Sequence, residues 1–397
     1  MSAFDVTTEG RRLDALVPRL LRASGIVAAV GIVGALVVAA LVEHGFERLL
    51  HTYLVSFAFY LSLSLGGLFF VLLQHCTRAG WSVTVRRLAE ALARNLELMA
   101  ALTLPVLLGL HSLYHWSHPE TVAGDPVLAG KAGYLNPVFF AIRLAVYFAV
   151  WTLLAWYFFA RSTRQDGSGD PRLTRSMEKL SAPGLVLFAL TVNFAAFDLL
   201  MSLDPHWFST IFGVYFFSGS VVAVLAALPL MVVFLQRQGL LTHAVTVEHF
   251  HDLGKLLFAF VVFWAYIAFS QYMLIWCGNL PEETEWFLKR QSGPWTWVSL
   301  ALLFGHFVIP FLALISRLPK RRPALLATVG AWMLLMHWLD LYWLAMPELA
   351  GESAPFGPLD VLCFFGLGGL YLAALTLRMR RHSLIPEKDP RLAESLA

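Results

Sequence analysis

Ten long apolar runs, at residues 26–42, 53–73, 98–113, 138–160, 184–203, 211–235, 253–277, 295–316, 323–344 and 359–377, constrain this chain more than any other feature. A helix that crosses a bilayer needs about 20 mainly apolar residues, because the hydrocarbon core is about 30 Å thick and each residue rises 1.5 Å. The runs are continuous, whereas the strands of a membrane barrel alternate with a period of two, so helices are predicted. Charged residues are only 14% of the 397, against roughly 25% in a soluble domain. The predicted fold is therefore an all-α integral membrane protein with about ten transmembrane helices. Residues 1–25 form an N-terminal segment, 26–377 the membrane domain and 378–397 a C-terminal tail.

Lys and Arg orient the helices. Twenty-four of the 29 fall on one side of the alternating connections, leaving Arg48, Lys131, Arg143, Lys289 and Arg290 for the other. By the positive-inside rule both termini are predicted to be cytoplasmic. No cleavable signal peptide is expected, because Arg11, Arg12, Arg19 and Arg22 precede the first apolar run. Trp116, Trp207, Trp276, Trp286, Trp295, Trp297 and Trp343 cluster near the outer helix ends, as an interfacial belt would. Val85, Leu88 and Leu92 recur at helical spacing beside Arg86, Arg87 and Arg94. That pattern fits an amphipathic helix on the inner surface or an extension of the third span. Residues 165–171, rich in Gly, Ser and Asp, read as a flexible loop.

Ionisable groups inside the apolar runs carry the chemistry, since each costs several kcal/mol unless paired, neutral or hydrated. Asp198 lies well inside the fifth run and His306 near the middle of the eighth. His337 and Asp340 are three apart in the ninth, so they share a helix face. Arg143 and His111 lie in the outer parts of the fourth and third runs, and Gln271 similarly in the seventh. At the basic mouth of the seventh run stand Glu248, His251, Asp252 and Lys255, with Lys255 and His251 expected to reach inward. The layout suggests two partial proton paths meeting at the midplane. Plainer alternatives stand beside it: Asp198 as the ion-pair partner of Arg143, His337 and Asp340 as a packing contact, His306 as a neutral core histidine, and the seventh-run cluster as a solvated cap.

Cofactor signatures are scarce. Cys76, Cys277 and Cys363 make no CxxC or CxxCH arrangement, which leaves covalent haem and iron–sulfur clusters without support. No compact metal-ligand spacing occurs, so no metal is expected, and His306 and His337 are expected to differ in depth by a turn or more. No phosphate-binding glycine loop, nucleophile elbow or nucleic-acid-binding feature appears.

Two segments carry a family resemblance. Phe197-Asp-Leu-Leu-Met-Ser-Leu-Asp-Pro-His-Trp207 continues to Gly219, and Phe269-Ser-Gln-Tyr-Met-Leu-Ile-Trp-Cys-Gly-Asn-Leu-Pro-Glu-Glu-Thr284 follows. Together they resemble the large membrane subunits of bacterial alternative complex III. The nearer pattern is that of the ActF type, the quinone-binding subunit 2 of quinol:cytochrome c oxidoreductases. These subunits are similar to NrfD/PsrC-type membrane anchors. The likeness is specific from about residue 181 to 343, and the first 180 residues share helix layout more than motif.

The resemblance implies two four-helix bundles with two peripheral helices, in a bacterial cytoplasmic membrane. It implies a subunit without a prosthetic group of its own, working beside a multihaem cytochrome c, an iron–sulfur protein and a second NrfD-like, quinol-binding subunit. Quinone or quinol and lipid are the ligands it suggests, with Asp198 and His337 as candidate quinone contacts. A role in moving protons during quinol oxidation is implied; a direct quinol site and a secondary transporter are the alternatives. Where such subunits usually follow the membrane aspartate with tryptophan, this chain has Leu199, which removes any ring stacking there.

Overall fold

The computed structural model describes residues 10–351 and 355–396, and residues 1–9 of the expected N-terminal segment lie outside them. Among the described residues ten helices are long and apolar enough to cross a membrane: α1 Val17–Leu41, α2 Gly45–Cys76, α3 Val83–Leu108, α4 Pro137–Ser168, α5 Pro171–Leu203, α6 Phe212–Arg237, α7 Val247–Gly278, α8 Trp295–Ile315, α9 Pro323–Ala350 and α10 Pro358–Met379. No strand occurs among the described residues. The chain is an all-α, multi-pass membrane protein.

Local signals set the helix ends. Asn136 caps α4 by accepting the Phe139 amide at 2.9 Å, with Pro137 at the first helical position where no donor is needed. Gly169, at φ 64°, ends α4, and Asp170 immediately caps α5 through the Arg172 amide. The stretch read as a flexible loop is thus a two-residue helical turn. Gln165 pins it by donating to the Asp170 carbonyl at 3.0 Å and to Thr174 Oγ1 at 2.7 Å.

Helices α2–α5 pack as one four-helix unit and α6–α9 as another, and α2 lies against α6 along the seam between them. Burial follows this plan. In the most apolar window of α2, 94% of residues are buried in the protein, against 28% in α1 and in α8, whose other side chains face lipid. Helix α1 pairs with α10 at the periphery, where Gly31 and Gly366 bring the two backbones together; a Cβ on Gly31 would sit 2.4 Å from the Gly366 backbone.

At the end of the bundle where residues 10–16 and 380–396 lie, here called the basic end, α3 decides between the two readings of its first turns. Residues Val83–Ala93 are buried within the protein, so this segment is the extension of the third span and not a helix lying on the membrane. Its charges are enclosed by one neighbour on the same helix and by partners distant in sequence. Arg87 meets Glu90 at 3.0 Å and Asp166 at 2.9 Å, and Arg86 bonds Asp389 of the tail. The tail closes over this end, with Leu384 donating to the Arg11 carbonyl and Arg391 reaching Glu178. The tryptophan belt is also only partly superficial. Trp276 and Trp297 are exposed, whereas Trp116, Trp207, Trp286 and Trp295 are buried, and Trp207 stacks on Trp286 at 4.4 Å.

Candidate functional site

Two buried aspartates lie in the two four-helix units, and their surroundings differ in kind. Asp198 of α5 is fully buried and saturated. Arg143 of α4 grips it as a fork, Nε to Oδ2 and Nη2 to Oδ1, both at 2.8 Å, and the Tyr147 hydroxyl donates to Oδ2 at 2.8 Å. The guanidinium also donates to the Tyr134 carbonyl at 2.7 Å and lies 3.8 Å from that ring's centroid. A bidentate pair with a third donor engages both oxygens of the carboxylate. Of the two sequence readings, the arrangement has the form of a structural ion pair. Leu199 packs in the core beside it, its carbonyl taking the Tyr114 hydroxyl at 2.9 Å.

Asp340 of α9 has no cation. Tyr215 of α6 donates to Oδ1 at 2.5 Å, and the Trp264 indole of α7 donates to Oδ2 at 3.1 Å. One turn back, His337 meets Ser62 of α2, Nε2 to Oγ at 2.8 Å. With the Ser62 proton directed at the Phe59 carbonyl, 2.7 Å away, His337 donates through Nε2–H. That fixes the tautomer and leaves Nδ1 with a bare lone pair that has no partner. Gly219 makes room for this edge of the ring, since a Cβ there would lie 3.0 Å from Nδ1.

His306 completes the group from α8. Residues Leu303–Val308 form a π turn, where Pro310 has no amide proton to offer the carbonyl four residues back and the Trp332 indole takes the Gly305 carbonyl at 2.7 Å. The wider turn swings His306 inward to stack on Trp264, centroids 3.8 Å apart, with both ring nitrogens unpartnered. Ligand atoms of His306, His337 and Asp340 all lie within 4.8 Å of one another. The side chains thus meet despite the expected difference in depth of a turn or more, because each ring reaches several ångströms from its backbone and the π turn sets which way His306 faces.

Two imidazoles and a carboxylate are also a donor set that transition ions accept. Ligating histidines, however, almost always donate their second nitrogen to an acceptor, and His306 has none. Both oxygens of Asp340 already accept hydrogen bonds. Bare ring nitrogens beside a carboxylate held only by neutral donors suit a shared, movable proton better. His337 and Asp340 share their face as expected, yet each bonds to a different helix and no hydrogen bond joins them.

The remaining predicted residues lie elsewhere. His111 is exposed and hydrogen-bonds Ser117 at 3.0 Å, apart from Asp198. Lys255 pairs with Asp252 at 2.6 Å and Glu248 with Arg321 at 2.6 Å, both on the surface of the basic end. His251 is half-buried, and the inward-facing residue of this cluster is instead His249, which caps α7 through Thr246 and reaches Ser395 at 3.1 Å. Helical phase explains the correction, because position 249 and not 251 or 255 falls on the buried face with Leu253 and Leu257.

Two cavities lie toward the end opposite the basic one, and the first of them reaches the Asp340 group. The first, of about 740 Å³, is mainly apolar and is lined by Tyr215, Trp264, Gln271, Ser299, Phe307 and Trp343. It touches both donors to Asp340, and the buried Gln271 Oε1 on its wall is unpartnered. The second, of about 820 Å³, carries charged groups in a largely apolar wall, among them Asp125, Asp204, His206, Glu285, Lys289 and Glu348, and is called here the polar pocket for those groups. There Asp125 is held below the usual carboxylate range, chiefly by its hydrogen bond with His206 at 2.5 Å.

Sequence reasoning missed Ser62, Tyr215, Trp264 and Arg290. The first three are neutral and the fourth reads as a loop charge, so none breaks the apolar pattern. Compared with known protein families and with curated proteins, the chain matches none.

Proposed function

We propose that this chain is a membrane subunit of a respiratory quinol:electron-acceptor oxidoreductase of the alternative complex III type, carrying no prosthetic group of its own. Its α6–α9 unit contributes part of a transmembrane proton path coupled to quinol oxidation. The observation that supports this best is the convergence of Asp340, His337 and His306 with unpartnered lone pairs and no fixed countercharge. No cation holds Asp340 in its ionised form, so it can take up and release a proton beside the two imidazoles. The Lys/Arg bias favours an orientation with the basic end in the cytoplasm, and the family resemblance implies a bacterial inner membrane. A multihaem cytochrome c, an iron–sulfur protein and a second NrfD-like subunit would handle the electrons.

Purification from native membranes tests the class. Co-elution with haem-bearing and iron–sulfur subunits is the expected result. A chain that elutes alone and drives solute uptake in liposomes would instead be a secondary transporter. A second reading, direct quinol binding, is favoured by the apolar cavity beside Tyr215 and Trp264 with the free Gln271 oxygen on its wall. Asp198, whose oxygens are already taken, suits a quinol contact less well. Loss of binding of a photoreactive quinone in Gln271→Leu would support that reading, and undiminished labelling would remove it.

A further inference from the structure

Arg290 is a buried charge that the proton-path reading leaves unused. It ends the short helix Pro281–Arg290 and is fully enclosed. Its guanidinium lies on the Trp286 ring, 3.4 Å from the centroid. It donates to the carbonyls of Trp286 at 3.0 Å, Trp343 at 3.2 Å and Leu344 at 2.8 Å, and to Glu348 Oε1 at 3.1 Å. Along α9 the order is therefore fixed. Asp340 comes first, then the Trp343 and Leu344 carbonyls that hold Arg290 one turn on. Glu348 follows at eight residues, about 12 Å further along the axis. Glu348 lines the polar pocket, so Arg290 stands between that pocket and Asp340.

A buried cation repels an approaching proton strongly, because the low-dielectric surroundings screen it little; channels use the same device to exclude protons. We infer that Arg290 is a fixed-charge barrier that insulates the Asp340 group from the polar pocket, so that protons reach that group by another route. This rests on the proton-path reading of Asp340. Burial lowers the Arg290 pKa to about 10, with Glu348 opposing the fall, so the barrier stays charged at neutral pH. The other charged or titratable groups acting on it are Asp204 and Tyr215, and Lys289 shares Glu348 at 3.2 Å.

The test is passive proton flux into liposomes holding the full chain, read with an internal pH dye under a clamped membrane potential. Wild-type vesicles are expected to be tight. Arg290→Gln should raise the flux by about tenfold or more, one decade per 1.36 kcal/mol of barrier removed, and adding Asp340→Asn should return it to the wild-type level. Glu348→Gln, which keeps the barrier charge, should stay tight. If Arg290→Gln does not fold, Arg290→Lys serves: tight at neutral pH and leaky as alkaline pH neutralises its desolvated ammonium. A folded Arg290→Gln as tight as wild type, a leak that persists in the double variant, or an Arg290→Lys flux independent of pH would each overturn the inference. A tight Arg290→Gln alongside an Asp340→Asn complex that has lost proton release would overturn the barrier alone. Undiminished proton release in Asp340→Asn would instead overturn the path reading itself.

Discussion

Asp198 and Asp340 sit in corresponding places, each an aspartate buried in its own four-helix unit, yet the chain treats them in opposite ways. Asp198 is clamped by a guanidinium fork and a phenol. Asp340 receives one phenol and one indole and faces two imidazoles with free nitrogens. Burial alone therefore does not mark a functional carboxylate. What separates the two is whether a permanent countercharge fixes the ionised form or neutral neighbours leave it free to change.

The largest effect should come from breaking the clamp. Asp198→Leu leaves Arg143 buried without its partner and should cost about 3–5 kcal/mol of stability, read as a lower unfolding temperature and poor recovery from the membrane. The double replacement Arg143→Leu with Asp198→Leu should recover most of that loss, because a buried ion pair and an apolar pair of similar volume differ little. If the double variant is no better than the single, Asp198 does more than pair.

Tyr215→Phe comes next. It removes one neutral donor from Asp340 and should cost about 1 kcal/mol, with a larger change in turnover of the assembled complex than in its yield. Ser62→Ala should act similarly on His337 by freeing its tautomer, at about 1 kcal/mol. Equal loss of yield and turnover in both variants would make the group a packing feature. The smallest effect belongs to Lys255→Gln at the basic mouth, where an exposed pair with Asp252 contributes within about 0.5 kcal/mol. A large loss of turnover there would place the path at that surface after all.

The same contrast shows what hydropathy can reveal. The ten spans were legible because lipid forces long apolar runs, and Asp198, His337 and Asp340 stood out because they interrupt them. The partner of Asp198 was legible as well, since Arg143 is a rare charge at similar depth. The neighbours of Asp340 were not: Tyr215 and Trp264 count as apolar in any such reading, and their hydrogen bonds depend on how α6 and α7 rotate against α9. The facing of His306 was not legible because a π turn changes the phase of α8 without changing its composition. The burial of Arg86, Arg87 and Glu90 could not be foreseen, because Asp389 and Ser383 close over them from about 300 residues away, and such separations are set by tertiary packing.

The most direct measurement is proton release per electron by the assembled complex carrying Asp340→Asn, set beside the same complex carrying Asp198→Asn. The two-carboxylate account predicts lost or reduced release with Asp340→Asn, and unchanged release per electron in whatever fraction of Asp198→Asn assembles. Normal release with Asp340→Asn together with loss in assembled Asp198→Asn would contradict it.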